Sequence, residues 1–210
     1  MDGDDSGLME LARAVAVGDS AFVSQLLEVS PMLASAHLER GASRQEAKAY
    51  WLEEIEHYVY GGDTALHVSA AGHRLDLSRV LVLAGADVRA RNRRGAEPLH
   101  YAADGQPGSR TWRPEEQAAT VRYLIAAGAD PDASDKSGVT PLHRAVRTRC
   151  AAAVGALLDD GADVLRTNAS GSTPIELATR NTGRGGSGSP EAKAQQAEIL
   201  ELLRRHGATR

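Results

Sequence analysis

Thr140-Pro141-Leu142-His143 is one of four related tetrapeptides that mark this chain of 210 residues at nearly regular intervals. The other three are Thr64-Ala65-Leu66-His67, Glu97-Pro98-Leu99-His100 and Thr173-Pro174-Ile175-Glu176. Successive tetrapeptides start 33, 43 and 33 residues apart. A short motif that returns at such a period indicates that one structural unit is repeated along the chain.

A second mark keeps the same register as the tetrapeptides. Gly-Ala-Asp occurs at residues 85–87, 128–130 and 161–163, and Gly207-Ala208 follows near the end of the sequence. The segment between a tetrapeptide and the next Gly-Ala-Asp varies in length, while the order of the two motifs is kept. The extra residues therefore lie at particular places within the repeats. The pattern predicts a stack of helical supersecondary units with insertions at set positions.

The unit around residue 140 shows how each copy is built. Asp135-Lys136-Ser137-Gly138 predicts a tight turn, in which Gly138 can take a positive φ. Thr140 is expected to cap a helix whose first residue is Pro141, and Gly161 to end the second helix. The predicted unit is therefore a turn, a helix, a loop and a second helix.

These residues resemble the ankyrin repeat, whose period is about 33 residues and whose signature is Thr-Pro-Leu-His-x-Ala. The resemblance covers residues 64–210, and a degenerate copy with Gly18-Asp19 and Leu26-Leu27 extends it to about residue 9. It implies an all-α, ankyrin-repeat α-solenoid of about five repeats, made of helix-loop-helix units with β-turn fingers. In such proteins the finger tips and first helices form a concave surface that binds partner proteins.

The register also predicts the boundaries of the parts. Within one repeat domain over 8–210 we expect, in order, an N-terminal capping repeat over 8–36, a helical insertion over 37–61, repeats over 62–95, 96–138 and 139–171, and a C-terminal repeat over 172–210 with a glycine-rich insertion. Residues 1–7 are expected to be disordered.

The composition excludes several classes of protein. A 42% hydrophobic but 4% aromatic content fits a core of small side chains, and a net charge of −4 argues against general affinity for nucleic acid or anionic lipid. The sequence has no secretory signal and no membrane-spanning segment, and its single cysteine, Cys150, fits a reducing compartment. We expect a cytoplasmic monomer, and the preference for arginine over lysine favours a bacterial source.

The repeated histidines His67, His100 and His143 are predicted to be structural. Because they lie about one repeat apart, they cannot share one zinc ion, whose ligands must be near 2 Å. The resemblance implies that this histidine joins neighbouring turns by hydrogen bonds. Protonation at mildly acidic pH is expected to loosen those joints.

The largest insertion is predicted to form an amphipathic helix. Ser43-Arg44-Gln45-Glu46 matches a capping box, and Ala47, Trp51, Ile55 and Tyr58 follow at spacings of four, four and three. Either this apolar stripe docks on the stack or it contacts a partner; docking is favoured for Trp51 and Ile55. The other two tyrosines of the segment are the candidates for outside contact: Tyr50 and Tyr60.

Two further insertions, residues 104–113 and 180–189, are rich in glycine and arginine and each precede a Pro-Glu helix start. They are expected on one edge of the stack, where they would form a basic rim able to bind an anion. The glycine-rich segment lacks the strand and the Gly-Lys-Ser/Thr of a phosphate loop, so a flexible connector is the favoured alternative. The candidate rim residues are Arg110, Arg113, Arg149 and Arg184.

The basic run over 89–94 is followed by an acidic finger over 130–135. The two fingers could attract each other or select a partner by charge. From the positions that ankyrin proteins use for contact, the resemblance gives six candidate partner-binding residues: Arg93, Arg94, Lys136, Ser137, Val139 and Arg147.

The sequence therefore predicts a non-enzymatic protein-interaction scaffold with no cofactor and no metal. No nucleophile is paired with a base, and Cys150 lies in an alanine-rich stretch that suggests a packed thiol. One alternative is an accessory subunit of an enzyme that binds an anion or small ligand, with a site around Asp104, His57 or the arginine rim. Another is an immunity-type modulator that occludes one dedicated target.

Overall fold

A computed structural model describes residues 5–109, 111–180 and 190–209 of the chain. Within these ranges, ten α-helices follow one another and pack as five consecutive pairs. Their bounds are α1 Ser6–Val17, α2 Ser20–Val29, α3 Ala65–Ala71, α4 Leu75–Leu83, α5 Pro98–Ala103, α6 Pro114–Ala126, α7 Pro141–Thr148, α8 Ala151–Asp159, α9 Pro174–Thr179 and α10 Pro190–Arg205. The first of these helices begins before the expected end of the disordered N-terminus.

The pairs stack in two layers. The first helix of each pair packs on the first helix of the next, from α1 through α3, α5 and α7 to α9. The second helices form the other layer in the same way, from α2 to α10. The predicted all-α solenoid is therefore confirmed. No helix in the described ranges has the length and apolar character needed to cross a bilayer.

The tetrapeptides start the inner helices as predicted. The hydroxyl oxygens of Thr64, Thr140 and Thr173 each accept a hydrogen bond from the backbone N–H three residues later. At the second copy Glu97 takes the same position before α5, and its amide donates to His100 Nδ1 at 3.1 Å. A cap of this kind satisfies an amide that has no partner inside the helix, so each tetrapeptide fixes where a helix begins.

The core repeats along with the caps. One leucine or isoleucine of each later inner helix is buried at the same position, and outer helices contribute further buried aliphatic side chains. Since these side chains touch the preceding and following pairs, each pair completes its neighbour's core. The residues that line up in this way are Leu66, Leu99, Leu142 and Ile175 inside, and Leu81, Leu124, Leu157 and Leu203 outside.

The loops after the second helices form a row of fingers, whose tips are residues 92–95, 135–138 and 168–171. Each tip is a tight turn closed by the amide of its glycine, and Gly138 has the predicted positive φ, at 67°. Backbone hydrogen bonds of 2.9 and 3.0 Å then join each tip to the next, from Lys136 N to Arg94 O and from Ala169 N to Ser137 O. The tips consequently form one connected edge.

The repeated histidines tie neighbouring units together, as predicted. In His67 the Nδ1 atom accepts from the Thr64 amide, so Nε2 is the donor to Ala96 O, at 3.1 Å. His100 and His143 make the same bond to the next unit, each at 3.0 Å. Burial lowers the pKa of all three, and that of His100 to about 3. For His100 the expected protonation at mildly acidic pH is therefore wrong, because its buried side chain stays neutral there.

The insertion before residue 62 does not form the predicted helix. It contains the short turns Lys48–Tyr50 and Glu53–Ile55 around a two-stranded antiparallel hairpin, β1 Trp51–Leu52 and β2 His57–Tyr58. Ser43 accepts a hydrogen bond from the amide of Glu46, as a capping box would require, yet only turns follow. Trp51 and Tyr58, which were expected on one face of a helix, therefore lie opposite each other on the two strands of the hairpin.

The insertion is docked on the stack. Its backbone pairs with the start of the next unit through Leu38 N to Asp63 O and Gly62 N to Leu38 O, at 2.9 and 2.7 Å. Ile55 packs so closely on the end of α3 that a Cβ at Gly72 would lie 2.7 Å from it. The expected docking of Ile55 is thus observed, and the segment covers the inner helices at this end of the stack.

Candidate functional site

A cleft of about 820 Å3 lies where the hairpin region 51–58 faces the 104–113 loop. The ends of α3, α5 and α7 supply its other walls. We use the name "the cleft" for this space, whose polar lining includes Glu54, Glu56, His57, Asp104, Glu116 and Arg147. It therefore draws on an insertion, an inter-helix loop and three consecutive inner helices.

A buried hydrogen-bond network supports the cleft from below. The Tyr101 hydroxyl donates to Asp63 Oδ1 at 2.9 Å and accepts from Asn92 Nδ2 at 3.0 Å. Asn92 also donates to Asp63, at 2.8 Å. Burial and the neighbouring Asp63 carboxylate raise the pKa of Tyr101, so its proton stays in place. The network joins one finger to two units and fixes the aromatic ring that lines the cleft.

A second set of contacts holds Asp104. Arg144 donates to Asp104 Oδ2 at 3.0 Å and to Asp135 Oδ2 at 3.5 Å, and its guanidinium lies 5.7 Å from the centre of the Tyr101 ring. Burial by itself would lower the pKa of Arg144, but Asp104, Tyr101 and Asp135 together raise it. Arg144 therefore remains charged and is matched by the two carboxylates.

The structure brings His57 and Asp104 to the same cleft, whereas the sequence offered them as separate candidates for the site of an accessory subunit. Burial lowers the pKa of His57, although Asp104 and Asp63 act in the opposite direction. His57 Nε2 and Asp104 Oδ1 are both buried and have no hydrogen-bond partner. Among the described residues neither atom has a partner, so the Asp104 oxygen can accept a hydrogen bond from a ligand, and the His57 nitrogen can do so when the ring proton is on Nδ1.

The 104–113 loop is held in place on the stack. Gln117 orients the Trp112 indole, whose Nε1 donates to Gln117 Oε1 at 2.9 Å. The amide of the same glutamine donates to Ala102 O at 3.0 Å, and Gln196 makes the equivalent bond to Ala178 O at 2.6 Å. Gln117 and Gln196 therefore occupy equivalent positions after their two insertions.

The exposed aromatic residues differ from those selected in the sequence. Trp51 and Tyr58 face each other across the hairpin with ring centroids 4.6 Å apart, and each is 38% exposed. Tyr50 is half-buried against the core, and the half-buried Tyr60 ring is covered by the Arg94 guanidinium at 4.6 Å. Sequence reasoning missed this exposed pair because it treated Trp51 as part of a docked helix.

The fingertip candidates lie along the connected edge. Arg93, Arg94, Lys136 and Ser137 are exposed, while Val139 is half-buried beside them. Arg93 also donates to the carbonyl oxygen of Glu39, so it helps to hold the insertion. Two exposed arginines therefore stand on the tip 92–95, and an exposed lysine and serine on the tip 135–138.

The proposed arginine rim is only partly present. Arg113 is exposed at the cleft and donates to Trp112 O, and Arg147 is half-buried in the cleft wall. Arg149 is 3% exposed, so it adds no open charge to an edge. Arg110 and Arg184 lie outside the described residues, as does the glycine-rich stretch 183–189.

The arginines of the basic finger 89–94 make contacts other than ion pairs with the acidic finger 130–135. Arg91 pairs with Glu97 at 3.0 Å, and Arg89 donates to the carbonyl oxygen of Gly128 at 2.7 Å. In the described part of the chain, no ion pair joins residues 89–94 to residues 130–135, and Asp135 pairs with Arg144 instead. The alternative in which the two fingers neutralise each other therefore has no side-chain contact to support it.

The described ranges contain no cluster of three or more histidine, cysteine or acidic side chains arranged to hold a metal ion. Cys150 is fully buried at the start of α8, and burial raises the pKa of its thiol to about 12. The residue is therefore a packed thiol, in agreement with the alanine-rich sequence around it.

Comparison with known protein families adds an independent result. The family described as "Ankyrin repeat" matches residues 61–93 and 94–136, and the family described as "Ankyrin repeats (many copies)" matches residues 124–178. The search of curated proteins gives no match. Together the matched segments run from residue 61 to residue 178, which covers α3 to α8 and nearly all of α9 and includes the four tetrapeptides. The chain belongs to the ankyrin repeat family.

Proposed function

We propose that this protein is a non-enzymatic recognition scaffold that binds a partner protein across its fingertips and inner helices. Ankyrin repeats generally mediate protein–protein interaction, and this family membership supports the general role. The partner surface assigned here has two neighbouring parts, the fingertips and the cleft. Binding requires no chemical step by the chain.

The observation that carries the proposal is the connected fingertip edge. Exposed Arg93, Arg94 and Lys136 stand on neighbouring tips whose backbones are hydrogen-bonded to each other. A surface that is already ordered loses little conformational entropy on binding. The three basic side chains favour a partner with an acidic patch, since complementary charge steers association and disfavours other partners.

The exposed Trp51–Tyr58 pair supplies a possible aromatic anchor near the cleft. Aromatic side chains dominate the binding energy of many interfaces because they bury a large area with few rotatable bonds. The hairpin that presents them is docked through backbone hydrogen bonds. We assign the outside aromatic contact to Trp51 and Tyr58 in addition to Tyr50 and Tyr60.

Capture from the native lysate with crosslinking tests the proposal. The wild type should enrich one partner, and the double variant Arg94→Glu/Lys136→Glu should weaken its capture at least tenfold, by analogy with reversed charges at a complementary interface. Arg122→Glu/Arg205→Glu is a matched control, because both arginines are exposed on outer helices. Equal loss in both variants would show a general charge effect and contradict the fingertip assignment.

The cleft is the feature that favours the alternative, binding of a ligand. If the wild type enriches no protein while a small molecule copurifies, ligand binding replaces the scaffold proposal. We further propose that the protein works in a reducing, cytoplasmic setting, because its single cysteine is a packed thiol. We also propose that it is a monomer. An immunity-type role would be a special case of the same binding, in which one target is occluded.

A further inference from the structure

We infer that the cleft receives a basic side chain of the partner protein, with an arginine guanidinium as the best-fitting group. This inference rests on the proposed scaffold function and adds a charge preference opposite to that of the fingertips. The argument uses the unpaired carboxylates, two buried acceptors without partners and the aromatic wall. It assigns a cationic ligand to a region where the sequence suggested an anion.

The carboxylates of the cleft are left largely unpaired. Glu54 and Glu116 are exposed and make no ion pair or side-chain hydrogen bond with the described residues. Glu56 accepts one long hydrogen bond, from the Thr111 hydroxyl at 3.5 Å. Glu54, Glu56 and Glu116 thus place three negative charges at the opening, in a lining that also contains Arg74, Arg113 and Arg147.

Two acceptors lie deeper in the cleft. Asp104 Oδ1 is buried without a partner while its second oxygen is bound to Arg144. His57 Nε2 is also buried and unpartnered. Buried polar atoms in native proteins are normally hydrogen-bonded, so two such atoms in one cleft mark a place where a ligand's N–H groups can bind. A guanidinium has five N–H donors in a planar fork, so it can supply an N–H group to Asp104 Oδ1 and, when the His57 proton is on Nδ1, to His57 Nε2.

The aromatic wall selects a planar cation. Trp112 lines the cleft with its indole fixed by Gln117, and Tyr101 contributes its buried ring. Guanidinium groups stack on such rings more readily than ammonium groups do. The volume of about 820 Å3 is ample for one long side chain with the peptide backbone that carries it.

Three arginines also line the cleft and must be weighed against this assignment. The Arg74 guanidinium points toward the first unit and donates to Ala16 O at 2.9 Å, and Arg113 donates to Trp112 O. Both side chains keep their positive charge in these hydrogen bonds. Arg147, in the cleft wall, is the position at which a substitution separates the two possibilities. A bound cation should tolerate or favour Arg147→Gln, whereas a bound anion would depend on that arginine.

The test uses nuclear magnetic resonance on the full-length, isotope-labelled protein with defined probes. These are acetyl-Gly-Arg-Gly-amide, its citrulline and lysine analogues, free L-arginine and inorganic phosphate. We expect the arginine tripeptide to shift the Trp112 indole and Gly105 amide signals, and the neutral citrulline analogue to bind about tenfold more weakly. Lysine should bind more weakly than arginine because it lacks the planar fork.

Charge-removing variants locate the site. Glu54→Gln and Glu116→Gln should each weaken the arginine tripeptide about 2- to 5-fold, the range measured for exposed ion pairs. Glu53→Gln is the matched control, because Glu53 is exposed on the same hairpin turn but does not line the cleft. Both test residues are exposed, so their substitution should leave the fold intact.

Several results would overturn the inference. Equal binding of the arginine and citrulline peptides would show that charge is not recognised, and absence of shifts at the cleft would exclude the site. Phosphate binding that is lost in Arg147→Gln would assign the cleft to an anion. Tighter binding of free L-arginine than of the tripeptide would replace a partner side chain by a small ligand. If the fingertip variants still abolish capture of the partner, only the cleft inference fails.

Discussion

His57 packs against Tyr101, with ring centroids 5.0 Å apart and the rings inclined at 67°. His57 belongs to the inserted hairpin and Tyr101 to α5, so this contact joins the insertion to an inner helix of the stack. Tyr101 in turn holds the buried Asp63. The shape of the cleft therefore depends on a contact that neither the insertion nor the repeats form alone.

The Tyr101 hydroxyl should contribute measurably to stability. Tyr101→Phe leaves Asp63 and Asn92 each without one hydrogen bond at a buried site, which should lower the free energy of unfolding by about 1–3 kcal/mol. Urea unfolding measures the change. Tyr123→Phe is the control, since its hydroxyl makes no hydrogen bond in the described ranges, and should change stability by less than about 0.5 kcal/mol. Equal effects would contradict the network.

Docking of the insertion should depend on the absence of a side chain at Gly41. A Cβ there would lie 2.2 Å from Gly61 N and 2.3 Å from the carbonyl carbon of Tyr60. Gly41→Ala should therefore displace the insertion, cost about 1–3 kcal/mol and increase limited proteolysis within residues 37–60.

Gly7→Ala is the matched control for that substitution. Gly7 lies in α1, and the nearest atom to an added Cβ is 3.6 Å away, on Leu33. Alanine at this helical position should stabilise by roughly 0.5–1 kcal/mol. Unchanged proteolysis of the insertion in Gly41→Ala would mean that the insertion is not held by this close approach.

The buried histidines should make the fold sensitive to acid. Burial lowers the pKa of His67, His100 and His143 in the folded state, so the unfolded chain binds more protons as the pH falls below about 6.5. Their stabilising contribution is complete above that pH and is lost as the pH falls toward the folded pKa, about 3 for His100. At about pH 5 His100 should therefore cost up to about 2 kcal/mol relative to pH 8.

Urea unfolding across this pH range measures the effect. His100→Gln should reduce the slope of the free energy of unfolding against pH by up to the value for one proton. The comparison separates the buried histidine from carboxylates that titrate at lower pH. An unaltered slope in His100→Gln would show that His100 is not held neutral in the folded state.

The Cys150 thiol should be unreactive until the protein opens. It is fully buried, its pKa is raised to about 12, and a Cβ at Gly105 would lie 2.8 Å from its sulfur. A thiol reagent at about pH 8 should label the folded protein far more slowly than the denatured one. Gly105→Ala should accelerate labelling because it displaces the covering loop. Rapid labelling of the folded wild type would contradict this packing.

The repeats could be predicted because their determinants are local. A threonine cap, a proline at the first helical position and a glycine at a turn act within a few residues, so their recurrence predicts each unit. The histidine joints were predictable from the family resemblance. The lowered pKa of these side chains in the folded protein was not, because it depends on burial by the next unit.

The insertion could not be predicted in the same way. Trp51 and Tyr58 are seven residues apart, which fits one face of a helix and also fits two facing positions of a hairpin. The hairpin is favoured by contacts with distant residues, such as Ile55 against Gly72 and Leu38 against Asp63. The cleft went unrecognised for the same reason, since it needs His57 and Asp104 to meet in space.

Hydrogen exchange of the complex with the captured partner tests the central claim most directly. The account predicts slower amide exchange on binding at the fingertips 92–95 and 135–138 and in the cleft loop 104–109, with little change in the outer helices α4 and α6. Protection confined to those outer helices, with the fingertips and cleft unchanged, would contradict the proposed binding surface.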